Sequence, residues 1–237
     1  MTGHQRIRRI AMISTHGYVA ATAELGKPDT GGQVAYVLEL SRHLGRMGHR
    51  VDIMTRQFED QVAVERVDDH VQILRFPCGG TDFIAKETLC EAIPEWCTNA
   101  LRSIKKQRLR YDFINSHYWD AGLASQALAS SLRTPHFHTP HSIGAWKRDN
   151  TPGDPHENER RWNFAHRMRE EKTVYDGCDG LIATTMQQRD VLCGSEYDVA
   201  PGKIHVIPPG YDDTRFYPVS LATRRTLKRE LSRMPRS

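Results

Sequence analysis

The sequence predicts an α/β domain built on a mostly parallel sheet with helices on both faces. Three observations carry that prediction. Short apolar runs alternate with amphipathic helical patterns along the chain, the order that strand–helix–strand crossovers produce. The first helical pattern sets Val34, Val37, Leu38, Ser41 and Leu44 on one face at helical spacing. Polar clusters recur directly after the apolar runs, at what would be the carboxyl edge of a parallel sheet.

Taken in order, the first strand is expected at 9–15 ("RIAMIST") and the first helix at about 32–47, closed by "GHR" with Gly48 as its C-terminal cap. Strands follow at 51–55 and 71–76. A helix at about 88–107 leads to a strand at 113–117 ("FINSH"), and a helix at 119–132 leads to one at 136–139 ("HFHT"). A helix at 157–176 precedes a strand at 181–185, and a short helix at 186–193 precedes a last strand at 204–208. This is a Rossmann-like order, in which ligands sit outside the carboxyl ends of the strands. Residues 29–33, 117–120 and 141–147 all fall there.

Composition bounds what such a domain would do. A chain of 237 residues with 38% hydrophobic and 26% charged residues reads as globular, one large domain or two small ones. A net charge of +4 is mild for this length and suits a small anion at least as well as nucleic acid, and the longest basic stretch, "RRTLKRELSRMPRS" at the C-terminal end, reads as a solvated helix or tail. Five scattered cysteines with no C-x-x-C pair argue against a disulfide framework and a zinc knuckle. The N-terminus lacks a signal-type apolar core, and no apolar run reaches the roughly 18 residues of a membrane span. A reduced, cytoplasmic protein is the expectation.

One loop stands out. Some sixteen residues separate the first strand from Gly32, where about 2–6 are usual. Gly17, Gly26 and Pro28 exclude a hidden helix there. The loop ends in "DTGGQ", which matches neither the dinucleotide nor the P-loop fingerprint. Gly31 and Gly32 still set bare backbone N–H groups at a helix start, where the helix dipole favours an anion. Asp29 and Thr30 also serve as helix caps, so a simple capped turn is the competing reading. The long loop and the polar clusters at the same edge favour phosphate contact.

These segments carry a resemblance. "ISTHGY", "LGKPDTGGQVAYVLELSRHLGRMGHRVDIMTRQ", "GG-x-x-FI-x-KE", "NSHYWDAG", "TPHSIG-x-x-K", "R-x-x-x-EK-x-VY", "IATT" and "VIPPGYDDTRFYP" together resemble the family-4 retaining glycosyltransferases, in the branch of the sucrose-phosphate and mannosylfructose-phosphate synthases. The resemblance runs from about Arg9 to Pro218. It implies the N-terminal half of a GT-B enzyme, with residues 1–208 an acceptor-binding domain and 209–237 a linker and the start of a nucleotide-sugar domain. It implies that Gly31 and Gly32 approach the donor diphosphate and that Gln33 reaches the acceptor sugar. Lys86, Lys147 and Arg167 would hold the acceptor phosphate, Tyr118 and Ser142 would bond the hexose or its phosphate, and His141 would meet the donor hexose near the reacting carbon.

The chemistry of the residues agrees. A sugar phosphate is a compact dianion that two lysines and an arginine can neutralise through charge-assisted hydrogen bonds. No pair of carboxylates presents itself as nucleophile and acid, and front-face transfer of this family requires none. No cofactor or metal is implied. The expected partners are a nucleotide sugar (UDP-glucose or GDP-mannose), a sugar phosphate, foremost fructose 6-phosphate, and a second domain or chain that holds the nucleotide. Alone the chain is expected to be inactive, and self-association through apolar surface is an expectation as well.

Blander readings stand beside these. Lys86 and Lys147 would otherwise be surface lysines, and Arg167 would pair with Glu171 four residues on. His136, His138 and His141 have H-x-H-x-x-H spacing, which invites a metal, but core histidines at 136 and 138 with a functional His141 is the preferred reading. Two other functions remain open: a non-catalytic sugar-phosphate module, which needs neither the glycine pair nor His141, and a dinucleotide oxidoreductase, which lacks its glycine fingerprint.

Overall fold

The computed structural model describes residues 6–22, 26–211 and 217–233. Its strands are β1 (Arg9–Ile13), β2 (Arg50–Gln57), β3 (Val64–Arg66), β4 (Val71–Pro77), β5 (Phe113–His117), β6 (His136–Thr139), β7 (Gly180–Ala183) and β8 (Ile204–Val206). They form one sheet in the order β3-β4-β2-β1-β5-β6-β7-β8. Every pairing is parallel except that of β3 with β4. The helices are α1 (Gly32–Arg46), α2 (Ile93–Lys106), α3 (Trp119–Leu132), α4 (Gly144–Asn150), α5 (Pro155–Trp162), α6 (Phe164–Gly177), α7 (Met186–Cys193) and α8 (Leu221–Leu231).

Alternation along β1 divides the core between the two faces of the sheet. Ala11 and Ile13 pack with Trp96, Ala100, Ala121 and Leu128 of α2 and α3. Ile10 and Met12 pack with Val34, Val37 and Leu38 of α1. Strands covered on both sides are apolar almost continuously, which is why they read as unbroken runs. A third cluster joins Leu181 and Ala183 of β7 to Val174 of α6 and Leu192 of α7.

α1 ends as the sequence indicates. Gly48 takes φ +88°, its N–H donates to Gly45 O at 2.8 Å, and that of His49 donates to Leu44 O at 3.1 Å. This is the double bond of a Schellman stop.

The chain differs from the sequence reading in four places. The helix expected at 157–176 is two helices, α5 and α6, broken at Asn163, which adopts φ +46°, a conformation asparagine tolerates. α5 begins earlier, at Pro155, because the Asp154 side chain accepts from Glu157 N at 2.9 Å. α4 and β3 form where no element was expected. Finally, neither Asp29 nor Thr30 caps α1: Gly31 is the N-cap and no side chain bonds to the helix start.

The order of strands reverses between β1 and β5, so the loops leaving those two strands diverge and open a crevice at the sheet's carboxyl edge. α8 buries no residue. Among the described residues no helix is long and apolar enough to cross a membrane. In the "VIPPGYDDTRFYP" segment, residues 212–216 lie outside the described residues.

Candidate active site

The long loop after β1 folds back on itself and ends at the uncapped N-terminus of α1. Gly17 permits the fold-back: it takes φ +81°, and a Cβ there would sit 2.4 Å from Asp29 O. Thr30 braces the loop by accepting a bond from Tyr18 N at 3.0 Å. Gly31 and Gly32 are different. Gly31 is extended, Gly32 is helical, and a Cβ on either would meet nothing within 4 Å. Neither backbone strain nor packing requires glycine at these positions. They keep the helix's positive end open and bare, as an anion site demands.

Three cations converge beside this helix end from three separate segments. Lys86 Nζ pairs closely with Asp29 and lies 3.3 Å from Glu87 Oε1. Burial pushes the Asp29 carboxyl up, but the hydrogen bonds and charge of Lys86 outweigh it and hold Asp29 below its usual range. The same pair, against burial, raises Lys86. Arg167 on α6 is buried, with Nε donating to Glu171 Oε1 at 2.7 Å and Nη2 donating to Ser142 O at 2.8 Å. Its guanidinium lies 4.9 Å from the centre of the Tyr118 ring. Burial lowers its pKa, and Glu171 more than restores it.

Lys147, in the last turn of α4, is the exception. Its Nζ sits 4.3 Å from the centre of the Trp162 ring, and among the described residues it has no carboxylate within ion-pair distance. Burial first, then the charge of Arg167, lower its pKa. The three cations thus carry unequal compensation.

The loops after β5 and β6 supply the polar rim. Tyr118 (φ +76°) and His141 (φ +59°) both hold positive-φ backbone, as do six other non-glycine residues among those described. His141 Nε2 is 2.9 Å from Nδ1 of buried His117, whose Nε2 faces the sulfur of Met12. Sulfur only accepts, so His117 carries its proton on Nε2 and His141 donates from Nε2 to His117 Nδ1. Burial, then the charge of His16, lowers His141 to about 4, so the imidazole is neutral at pH 7. Gln33 donates from Nε2 to Ser14 Oγ and to His117 O, which ties the α1 terminus to β5.

The three histidines of "HFHTPH" do not converge. His136 and His138 both turn onto Ser116 Oγ at 2.7 Å inside the core, while His141 turns to His117. The other expected residues do meet. Gly31, Gly32, Gln33, Lys86, Tyr118, Ser142 and Lys147 line one open cleft of about 430 Å³. Arg167 joins Lys86, Tyr118 and Lys147 around a recess that adjoins it. His141 lies beyond Ser142, in a neighbouring hollow that also contains Trp146 and Gln188. Sequence reasoning missed His16, Lys27, Asp29 and Trp162. For Trp162 the "DPHE" helix start upstream was a usable signal, since it fixes the helix that carries the indole.

The parallel sheet, with a crevice open at its carboxyl edge, has the architecture of the Rossmann-like half of a GT-B glycosyltransferase. Solved structures agree: the sucrose-phosphate synthase of Thermosynechococcus elongatus matches with a TM-score of 0.78 and 26% identity over 93% of this chain and 52% of that one. The Glycosyltransferase Family 4 profile matches residues 30–215, and the chain belongs to that family. It is 54% identical over 228 residues to the mannosylfructose-phosphate synthase of Agrobacterium fabrum, covering 94% of this chain and 50% of that protein. It is 35% identical over 204 residues to a probable sucrose-phosphate synthase of Thermosipho melanesiensis, covering 81% of this chain and 48% of that protein. The chain spans about half the length of these curated relatives.

Proposed function

We propose that this chain is the acceptor-binding half of a retaining hexosyltransferase that moves a hexose from a nucleotide sugar to a sugar phosphate, with fructose 6-phosphate the foremost acceptor. The observation that carries the reading is the meeting of Lys86, Lys147 and Arg167 around one recess beside the bare start of α1. A phosphate dianion there would compete with Asp29 for Lys86 and would give Lys147 the counter-charge it lacks. The relative at 54% identity is named for a phosphorylated product, which suits the same cations.

In this reading the sugar ring rests against Tyr118, with Ser142 and Gln33 bonding its hydroxyls. The α1 N-terminus stabilises the departing diphosphate, UDP or GDP, which accepts the acceptor's proton as it leaves. Neutral His141 stands at the donor hexose. The nucleotide itself is assigned to a further domain or chain, so the chain alone turns over negligibly. A binding module without transfer would need neither the glycine pair nor the uncapped helix.

Calorimetric titration of the chain with fructose 6-phosphate, fructose and inorganic phosphate tests the reading. Binding that needs both sugar and phosphate supports it. Equal binding of fructose and its phosphate contradicts the assignment of the cations.

A further inference from the structure

Helix α5 contributes nothing to the core: it buries no residue. Among the described residues its side chains bond only to the chain on either side of it. Asn158 Nδ2 donates to the carbonyls of Thr151 and Pro152 at 3.3 and 3.2 Å, and Glu159 Oε1 accepts from Ala165 N at 3.0 Å. A helix that stabilises its domain lays an apolar stripe on it instead. The chain nevertheless starts α5 with the Asp154 cap and Pro155 and stops it at Asn163 in left-handed backbone. What this short helix delivers is its last residue, Trp162, at the wall of the recess shared by Lys86, Tyr118, Lys147 and Arg167.

There the indole lies against two cations. Lys147 Nζ is 4.3 Å from the ring centre, and the guanidinium carbon of Arg161 is 4.7 Å from it. Lys86 is held by Asp29 and Arg167 by Glu171, carboxylates with which an incoming anion must compete. The indole holds Lys147 by its ring face and brings no negative charge. Lys147 is thus fixed like the other two cations, but without a competitor.

We propose that Trp162 is a positioning residue for acceptor binding: its indole keeps the Lys147 ammonium in the recess before the acceptor phosphate arrives and while it is bound. The inference rests on the sugar-phosphate reading of the cleft. It makes α5 the element that sets the preference for a phosphorylated sugar, because an incoming dianion gains most from the cation with least compensation. A purely structural role for Trp162, seating α5 against α4, would use the same contact but would not depend on the charge at position 147.

Calorimetric titration of fructose 6-phosphate, fructose and inorganic phosphate into the wild type, Trp162→Leu, Lys147→Ala and the double variant separates the two. Trp162→Leu keeps an apolar side chain and removes the ring. It should weaken fructose 6-phosphate roughly two- to tenfold, the cost of ordering one freed lysine on binding, and leave fructose unchanged. In the Lys147→Ala background the same change should have no effect. Trp162→Phe, which restores a ring face, should recover part of the loss. Proton NMR reads the contact directly, since the ring current moves the Lys147 ε-methylene resonance upfield. That shift should be absent from Trp162→Leu and should persist when fructose 6-phosphate saturates the wild type. Equal weakening by Trp162→Leu with and without Lys147, full affinity in Trp162→Leu, or a lysine shift lost on binding overturns the inference and leaves the reading of the cleft intact. A wild type that binds neither fructose 6-phosphate nor inorganic phosphate overturns the reading of the cleft, and this inference with it.

Discussion

Lys147 Nζ lies 4.3 Å from the centre of the Trp162 ring and carries no ion pair among the described residues. The indole holds the ammonium in place without neutralising it, at a cost to no other charge. The neighbouring cations Arg167 and Lys86 press on it as well. Lys147→Ala should therefore weaken fructose 6-phosphate binding roughly ten- to hundredfold, the scale of one charge-assisted hydrogen bond, yet leave thermal stability almost unchanged. Calorimetry and thermal melts of the variant check both halves. A large loss of stability would mean that Lys147 is structural.

Arg167 should behave in the opposite way. Its partner Glu171 is fully buried and also accepts from Gly144 N at 2.9 Å and from the Tyr197 hydroxyl. Arg167→Ala leaves that carboxylate without its counter-ion, which typically costs on the order of 3–5 kcal/mol. Adding Glu171→Gln should restore part of the loss. Urea unfolding of the single and double variants measures it, and additive effects would show that the two residues act independently.

The glycines divide into two kinds. Gly17→Ala should destabilise the chain, because φ is +81° and the new Cβ meets a carbonyl oxygen. Gly32→Ala should stabilise by roughly 0.5–1 kcal/mol, since alanine suits a helix better and the space is empty. The same Gly32→Ala is expected to impair binding of a nucleoside diphosphate at the α1 terminus. Melting curves with and without UDP or GDP distinguish these outcomes, and a Gly32→Ala variant that gains stability from the nucleotide as fully as the wild type would remove the glycine pair from the donor site.

Stability should fall with acid. Burial, opposed by Asp179 and aided by Lys203, lowers His136 from its ordinary 6.5 to about 4. Burial also puts His117 and His138 well below their ordinary value. The folded pKa lies below the unfolded one, so between these values the unfolded chain binds more protons. Stability is complete above pH 6.5 and is lost as pH falls toward 4, by roughly 3 kcal/mol for His136 alone. Urea unfolding at pH 8, 6 and 5 reads the slope, and a flat profile would contradict the burial of this cluster.

Most of the fold was legible because its signals are local. Central strands covered on both faces are apolar runs, and α1 shows its buried stripe and its glycine stop in sequence. β3 was not legible because it is a three-residue edge strand with no pattern of its own. α4 was not because its start is fixed from outside, by Glu171 accepting from Gly144 N. In the site, the glycine pair and the motif cations could be read directly. The bond between His16 Nδ1 and the Asp120 carboxylate could not, since 104 residues separate the two; nor could the compensation of Lys86 by Asp29, a residue that in sequence reads as a helix cap.

The role proposed for this cleft is to recognise the phosphate of a sugar phosphate. Its most direct test is the ratio of affinities for fructose 6-phosphate and fructose, measured in the wild type and in Lys147→Ala. A large ratio is expected in the wild type, falling about ten- to hundredfold in the variant while fructose affinity holds. A ratio near one in the wild type, or one that survives loss of Lys147 unchanged, would contradict it.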